Sequence, residues 1–182
     1  MILGRFRRNS QVRTIHALYG AIVAQARSVT FYADYRVPDT VEGRFDLIVL
    51  HLVLVLNRLG RRTDAGRGLG QDLFDAFCRD LDANLREMGV GDLAVPKRMR
   101  AFAEAFYGRQ TAYLAALDAA DRRAFEKALA RNIFPAGDDA GAAQLARYAR
   151  AAVARLDAQD DGTLIRGEVV FPSPEAFAQE RT

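Results

Sequence analysis

Cysteine and histidine are scarce in this chain of 182 residues, and their scarcity excludes several kinds of site. The single cysteine, Cys78, cannot supply a disulfide framework or a cysteine zinc site. The two histidines, His16 and His51, are too few for a haem motif, and with one cysteine they make a nucleophilic triad improbable. The sequence also has no glycine-rich phosphate loop, nucleophile elbow or His-Glu-x-x-His zinc motif. We therefore expect no cofactor, no metal site and no enzyme activity.

Acidic residues are missing from the start of the chain. The net charge of +3 is too small to indicate nucleic-acid binding, but several arginines precede the first acid, Asp34. Such a start is typical of a mitochondrial presequence, of a bacterial segment that faces anionic lipid or RNA, or of a short basic tail that leads into an amphipathic helix. The apolar run at the N-terminus is shorter than the core of a secretory signal, which is at least ~7 residues long.

Long hydrophobic runs are limited to one segment, Phe45 to Leu59. A membrane span needs ~20 apolar residues, and this run contains Asp46, His51 and Arg58. The segment is apolar nearly all round, which predicts a central helix enclosed by others in a soluble protein.

Apolar residues at helical spacing predict an all-α fold of about six helices in one domain. We assign residues 1–9 to a basic segment, residues 10–158 to the helical domain and residues 159–182 to an extended C-terminal tail. Ser10 is the expected N-cap of the first helix, Arg61–Gly70 is expected to be a loop, and Gly89 is expected to end a helix. In the tail, Thr163–Phe171 is expected to pair as a strand or to lie extended over the helices.

Few side chains suggest chemistry. His51 is interpreted as a hydrogen-bonded core histidine, and pairing with Asp46 or another carboxylate, which would shift its pKa, is the open alternative. Asp80 and Asp82 could act as paired acids or bind magnesium, or they could belong to a solvated face on which Asp82 pairs with Arg86. An enzyme or small-ligand binder would require these acids and His51 to line one enclosed pocket of at least ~300 Å³.

Five dense blocks carry a family resemblance: QARSVTFY from Gln25, VPDTVEGRFDLIVLH from Val37, DLDANLREMGVGDLAVPKRM from Asp80, FYGRQTAY from Phe106 and ALARNIF from Ala128. In this order and spacing they resemble the ubiquinol–cytochrome c chaperone family, over roughly residues 11–134. The resemblance implies a chaperone needed to assemble ubiquinol–cytochrome c oxidoreductase, respiratory complex III.

The resemblance also implies the partners. Mitochondrial members engage newly made cytochrome b near the ribosome, together with a small partner protein. The chain has almost no leader before its first helix, which favours a bacterial, cytoplasmic protein that works peripherally at the inner membrane. We expect cytochrome b or another complex III subunit as the client, contact with the ribosome, and no specific nucleic acid. The alternatives are an RNA- or ribosome-binding module and a small-ligand-binding helical protein.

Charged and aromatic side chains in the matched blocks lie beside predicted turns, and arginines and aromatics are common at interfaces. We expect them to converge on one charged groove that binds the client. The candidate residues are Arg27, Tyr32, Asp39, Arg44, Asp46, Arg86, Glu87, Lys97, Arg98, Tyr107, Arg109 and Tyr113.

Overall fold

The structure, a computed structural model, describes residues 2–134 and 138–178, and for residues 2–9 the backbone alone. Within these ranges the chain forms helices and no strand, which confirms the predicted all-α fold. The helices are α1 (Ile2–Ala26), α2 (Val29–Ala33), α3 (Val41–Gly60), α4 (Asp64–Glu87), α5 (Val95–Asp118), α6 (Arg122–Ile133), α7 (Asp139–Asp157) and α8 (Asp161–Ile165), followed by a 3-10 helix at Pro174–Phe177.

Helix α3 is the centre of the bundle, as its apolar sequence predicts. It contacts α1, α4, α5, α6 and α7, and its residues from Leu50 to Val55 are all buried. Thr40 is the N-cap of the helix, because its side-chain hydroxyl accepts a hydrogen bond from the Gly43 amide at 3.1 Å. None of the helices in the described chain combines the length and the apolar content needed to cross a membrane.

The predicted loop at Arg61–Gly70 is wrong for most of its length. Helix α4 begins at Asp64, and Thr63 caps it by accepting from the Gly66 amide at 3.0 Å. A Cβ atom at Gly66 would lie 2.4 Å from the Leu59 carbonyl oxygen, so glycine lets the first turn of α4 pack against the end of α3. One of the glycines that suggested a loop, Gly66, therefore serves close helix packing.

The beginning of the chain also differs from the prediction. Helix α1 starts at Ile2, so Ser10 lies inside the helix and is not its N-cap. The predicted basic segment at residues 1–9 thus has a helical backbone from residue 2 onward. Val29–Ala33 forms the short helix α2, although the sequence has few helix signals there. Burial of Phe31 against the core favours this helical turn.

The C-terminal segment packs against the helices and includes α8 and the 3-10 helix. No strand forms at Thr163–Phe171. Tyr35 donates a hydrogen bond to the Pro174 carbonyl at 2.8 Å, and the Gln144 amide donates to the Phe177 carbonyl at 3.1 Å. The expected extended tail is therefore attached to the core as far as Ala178, the last residue described.

Candidate functional site

Four helix ends meet at one end of the bundle. Helices α1 and α4 run parallel, as two contacts between them show. Gln11 hydrogen bonds to Asp72, and further along both helices the Tyr19 hydroxyl donates to Asp80 at 2.8 Å. Helices α3 and α4 run antiparallel across the turn at Thr63, and α4 and α5 run antiparallel across a short loop. We call the common end of α1 (C-terminus), α3 (N-terminus), α4 (C-terminus) and α5 (N-terminus), with the segments that adjoin them, the charged end.

The first part of the charged end lies between α1 and α3. The Arg44 Nε donates to Asp39 at 2.6 Å on the surface, and this hydrogen bond lowers the pKa of the Asp39 carboxyl. The Tyr32 hydroxyl donates to the Ala26 carbonyl at 2.7 Å, which secures α2 to the end of α1. Burial raises the pKa of Tyr32, with Arg44, Asp39 and Arg27 near enough to modify it.

The second part is the α4–α5 loop. Arg86 donates to Asp82 at 2.7 Å and to Asp92 at 2.5 Å, so one guanidinium connects the last turn of α4 to the loop. Gly89 has a φ of 79°, a left-handed conformation that favours glycine and ends the helix as predicted. Lys97 and Arg98 follow in the first turn of α5, where both are exposed.

Asp46, Arg109 and Tyr113 lie further inside. Arg109 donates to Asp46 at 2.8 Å in a pair that is mostly buried. Burial raises the pKa of Asp46 to about 6, although Arg109 opposes this shift. Tyr113 is fully buried and its ring lies in the core next to Phe125, so it does not line a surface groove as expected.

The candidate residues therefore form two groups, with Tyr107 apart from both. The charged end holds Arg27, Tyr32, Asp39, Arg44, Arg86, Glu87, Lys97 and Arg98. The inner group is Asp46, Arg109 and Tyr113. Tyr107 is exposed about three turns along α5, where its ring packs on Phe74 at a centroid distance of 5.8 Å. Residues of the charged end line neither of the clefts described below.

Two clefts lie elsewhere in the described chain. One of about 680 Å³ runs between α6 and the start of α7 and includes Lys127, Arg131 and Ala143. The other, about 320 Å³, lies between α1 and α4 and includes His16 and Asp80. Asp46, His51 and Asp82 line neither of these two clefts, so neither is the pocket that the small-ligand hypothesis requires. Nor do the described residues contain a group of three side chains that could hold a metal ion.

His51 is a core histidine, as predicted, but it does not pair with a carboxylate. Its Nδ1 donates to the Leu47 carbonyl at 2.7 Å, since that oxygen can only accept. Its Nε2 consequently accepts from the Tyr148 hydroxyl at 2.8 Å, and the Gln25 side-chain amide donates to the same hydroxyl at 2.9 Å. Complete burial lowers the pKa of His51 to about 4, which keeps the ring neutral. We call Gln25, Leu47, His51 and Tyr148 the histidine network.

Sequence reasoning missed the residues that join distant segments. Tyr148 and Gln144 of α7 hydrogen bond to partners far along the chain. Arg58 is buried and donates to the Leu156 carbonyl at 2.9 Å and to Asp161 at 2.6 Å. A polar side chain within an otherwise apolar run was the available signal, and it indicates a buried partner without identifying it.

Comparison with known proteins gives consistent results. The sequence profile described as ubiquinol-cytochrome C chaperone matches residues 33–171. The chain is 27% identical over 166 residues to ubiquinol-cytochrome-c reductase complex assembly factor 1 of Xenopus laevis, covering 89% of this chain and 82% of that one. It is 29% identical to the protein of that name from Drosophila melanogaster, covering 79% of this chain and 58% of that longer protein.

A solved structure is similar over nearly the whole chain. The crystal structure of the Cbp3 homolog from Brucella abortus is 40% identical, with a TM-score of 0.86, and the match covers 96% of this chain and 98% of that one. The fold is an all-α bundle, and most of the candidate residues lie at its charged end. The chain belongs to the ubiquinol-cytochrome C chaperone family.

Proposed function

We propose that this chain acts as a non-enzymatic chaperone in the assembly of ubiquinol–cytochrome c oxidoreductase, and that newly made cytochrome b is its client. The observation that carries the proposal is the family match over residues 33–171, together with two relatives that are both named as assembly factors of this complex. The similarity extends through α3, α4 and α5, whose ends form most of the charged end.

The charge distribution supports the charged end as the client-binding surface. Lys97 and Arg98 have no ion-pair partner among the described residues, and both lie beside the positive end of the α5 dipole. Cations at a helix N-terminus are unfavourable, so stability does not explain their position. Exposed arginines and a half-buried tyrosine, Tyr32, are side chains that protein interfaces favour.

The assembly function is tested by deletion of the gene in its own host. We expect assembled complex III to disappear from native gels of the membranes while the transcripts of its subunits stay at normal levels. Expression of the intact chain should restore the complex. Normal amounts of assembled complex in the deletion strain would contradict the proposed function.

The client is tested by a photo-crosslinking amino acid at position 98, with position 155 of α7 as an exposed control. We expect cytochrome b to be crosslinked from position 98 during its synthesis, and not from position 155. Crosslinks from position 98 to ribosomal proteins alone would contradict cytochrome b as the client of this surface and favour a ribosome-binding module.

A further inference from the structure

Residues 169–177 pack on α1, α2 and α7 as an extended segment that ends in the 3-10 helix, and we call them the strap. Side chains of the helical body donate hydrogen bonds to three carbonyls of the strap. The pairs are Gln25 with Pro172 at 3.2 Å, Tyr35 with Pro174 at 2.8 Å and Gln144 with Phe177 at 3.1 Å. Hydrogen bonds to main-chain atoms are the means by which proteins hold an extended peptide ligand.

The groove beneath the strap is lined by aromatic rings. Phe171 of the strap meets the ring of His51 edge-on, at a centroid distance of 5.2 Å. Phe177 meets the ring of Tyr148 in the same way, at 6.1 Å. Between these two contacts Pro174 is buried. Two phenylalanines and one proline are therefore the apolar anchors of the strap.

Two prolines give the strap its extended backbone. Proline fixes its own φ at about −65° and disfavours a helical conformation of the preceding residue. Ser173, which lies between Pro172 and Pro174, has a φ of −64° and a ψ of 126°, close to polyproline II. Docking of a proline-rich extended segment in an aromatic groove is a recurring mode of peptide recognition, because such a segment loses little conformational entropy on binding.

The chain is firmly fixed as far as Gly167 and more loosely held beyond it. Buried Arg58 pairs with Asp161 of α8, and a Cβ atom at Gly167 would lie 2.9 Å from the Thr14 carbonyl oxygen. Of the nine residues of the strap, by contrast, one is buried and four are exposed. Segments with little buried surface open locally at a low cost in free energy. Gly167 is therefore the point from which the strap can lift.

We propose that this groove is a recognition site for an extended segment rich in proline and aromatic residues, and that the strap occupies it as a releasable ligand. When the strap lifts, water reaches Tyr35 and Gln144, so their donors are not left unpaired. Gln25 keeps the Tyr148 hydroxyl as a partner at 2.9 Å, so the histidine network persists. The strap thus acts as an autoinhibitory contact that closes the groove to a segment of the same chemistry in a partner protein.

Hydrogen exchange of the unchanged full chain tests release. We expect the protected amides of residues 168–178 to exchange through local opening, at a rate that low concentrations of denaturant barely change. Amides of α3 and α7 should exchange through global unfolding, at a rate that rises steeply with denaturant. The same steep dependence for the strap would overturn the proposal, because the strap would then open only with the core.

Fluorescence anisotropy with a labelled peptide of residues 168–178 tests recognition. The tethered strap competes at an effective concentration of about 1 mM, so the peptide should bind the unchanged chain weakly. Pro174→Gly with Phe177→Ala in the full chain, the strap variant, weakens this competitor. The peptide should therefore bind the strap variant about tenfold more tightly or better. Ala176→Ser, at an exposed position of the strap, is the matched control and should bind the peptide like the unchanged chain.

Substitutions in the groove establish where the peptide binds. Tyr35→Phe and Gln144→Ala, added to the strap variant, should weaken peptide binding by about tenfold, because two donors to its carbonyls are lost. A peptide with alanine in place of Phe171 and Phe177 should bind at least about tenfold more weakly. Thermal unfolding verifies that each variant is folded.

Three results of the peptide experiment would overturn the proposal: equal binding to the strap variant and the unchanged chain, binding that the groove substitutions leave unchanged, or equal binding of the alanine peptide. If the strap variant does not fold, hydrogen exchange of the unchanged chain decides whether the strap is releasable. Neither experiment involves complex III, so both outcomes are independent of the proposed function.

Discussion

The histidine network and the charged end use polar side chains in opposite ways. In the network, His51 and Tyr148 are fully buried, and each polar atom described above has a partner. At the charged end, Lys97 and Arg98 are exposed and lack ion-pair partners in the described chain, next to a helix end that disfavours positive charge. The complete pairing of the network is what stability requires, whereas the binding role of the charged end stays a proposal.

The largest expected effect separates the two histidines. His51→Ala removes a buried ring and leaves the Leu47 carbonyl without its side-chain donor, so the free energy of unfolding should fall by about 3 kcal/mol. His16 is exposed on α1, and His16→Ala should change the free energy of unfolding by less than about 0.5 kcal/mol. Denaturant unfolding measures both. Similar changes in the free energy of unfolding for the two variants would contradict the stabilising role of the histidine network.

A second comparison uses two buried tyrosines. Tyr148→Phe takes the donor from His51 Nε2 and the acceptor from Gln25, and should cost about 2 kcal/mol. The Tyr113 hydroxyl has no hydrogen-bond partner among the described atoms, so Tyr113→Phe should change stability by less than about 0.5 kcal/mol. Because Tyr113 is buried, this variant should also assemble complex III normally. A loss of assembly with unchanged stability would contradict this prediction and indicate that Tyr113 takes part in binding.

The pH dependence of stability distinguishes Asp46 from His51. The pKa of His51 is lowered to about 4, so the unfolded chain binds more protons than the folded one, and this group destabilises the fold as the pH falls below its ordinary pKa. The pKa of Asp46 is raised to about 6, so the folded chain binds the extra proton. This group therefore favours folding as the pH falls through 6.

Removal of Asp46 should consequently increase the loss of stability on acidification. Between about pH 7 and pH 5, Asp46→Asn should lose about 1 kcal/mol more than the unchanged chain. Asp39→Asn is the control, since Asp39 has a lowered pKa and titrates below this window. Unfolding curves at the two pH values give the comparison. Equal losses for the unchanged chain and Asp46→Asn would contradict a raised pKa.

Structural features that depend only on residues close together in the chain could be predicted from the sequence. The apolar run of α3 and the helix end at Gly89 are local features, and the structure confirms them. The start of α4 was predicted wrongly, because glycines occur both in loops and at close contacts between helices. Only the partner, here the Leu59 carbonyl against Gly66, distinguishes the two.

The candidate site was harder to predict for a related reason. Most of the charged candidate residues beside turns lie at one end of the bundle, because α1 and α4 run parallel; their role in binding stays a prediction. The burial of Tyr113 and the Tyr148 partner of His51 depend on side chains far along the chain. Residue type and spacing do not contain this information.

The most direct test of the division between the two regions is one double variant, Lys97→Glu with Arg98→Glu, measured for both stability and assembly. Acidic residues suit the positive end of α5, so the free energy of unfolding should rise slightly, by about 0.5 kcal/mol. Assembled complex III in the complemented deletion strain should nevertheless fall to the level of the strain without the gene. Full assembly with this variant, or a loss that only accompanies a lower stability, would contradict the assignment of the charged end to binding.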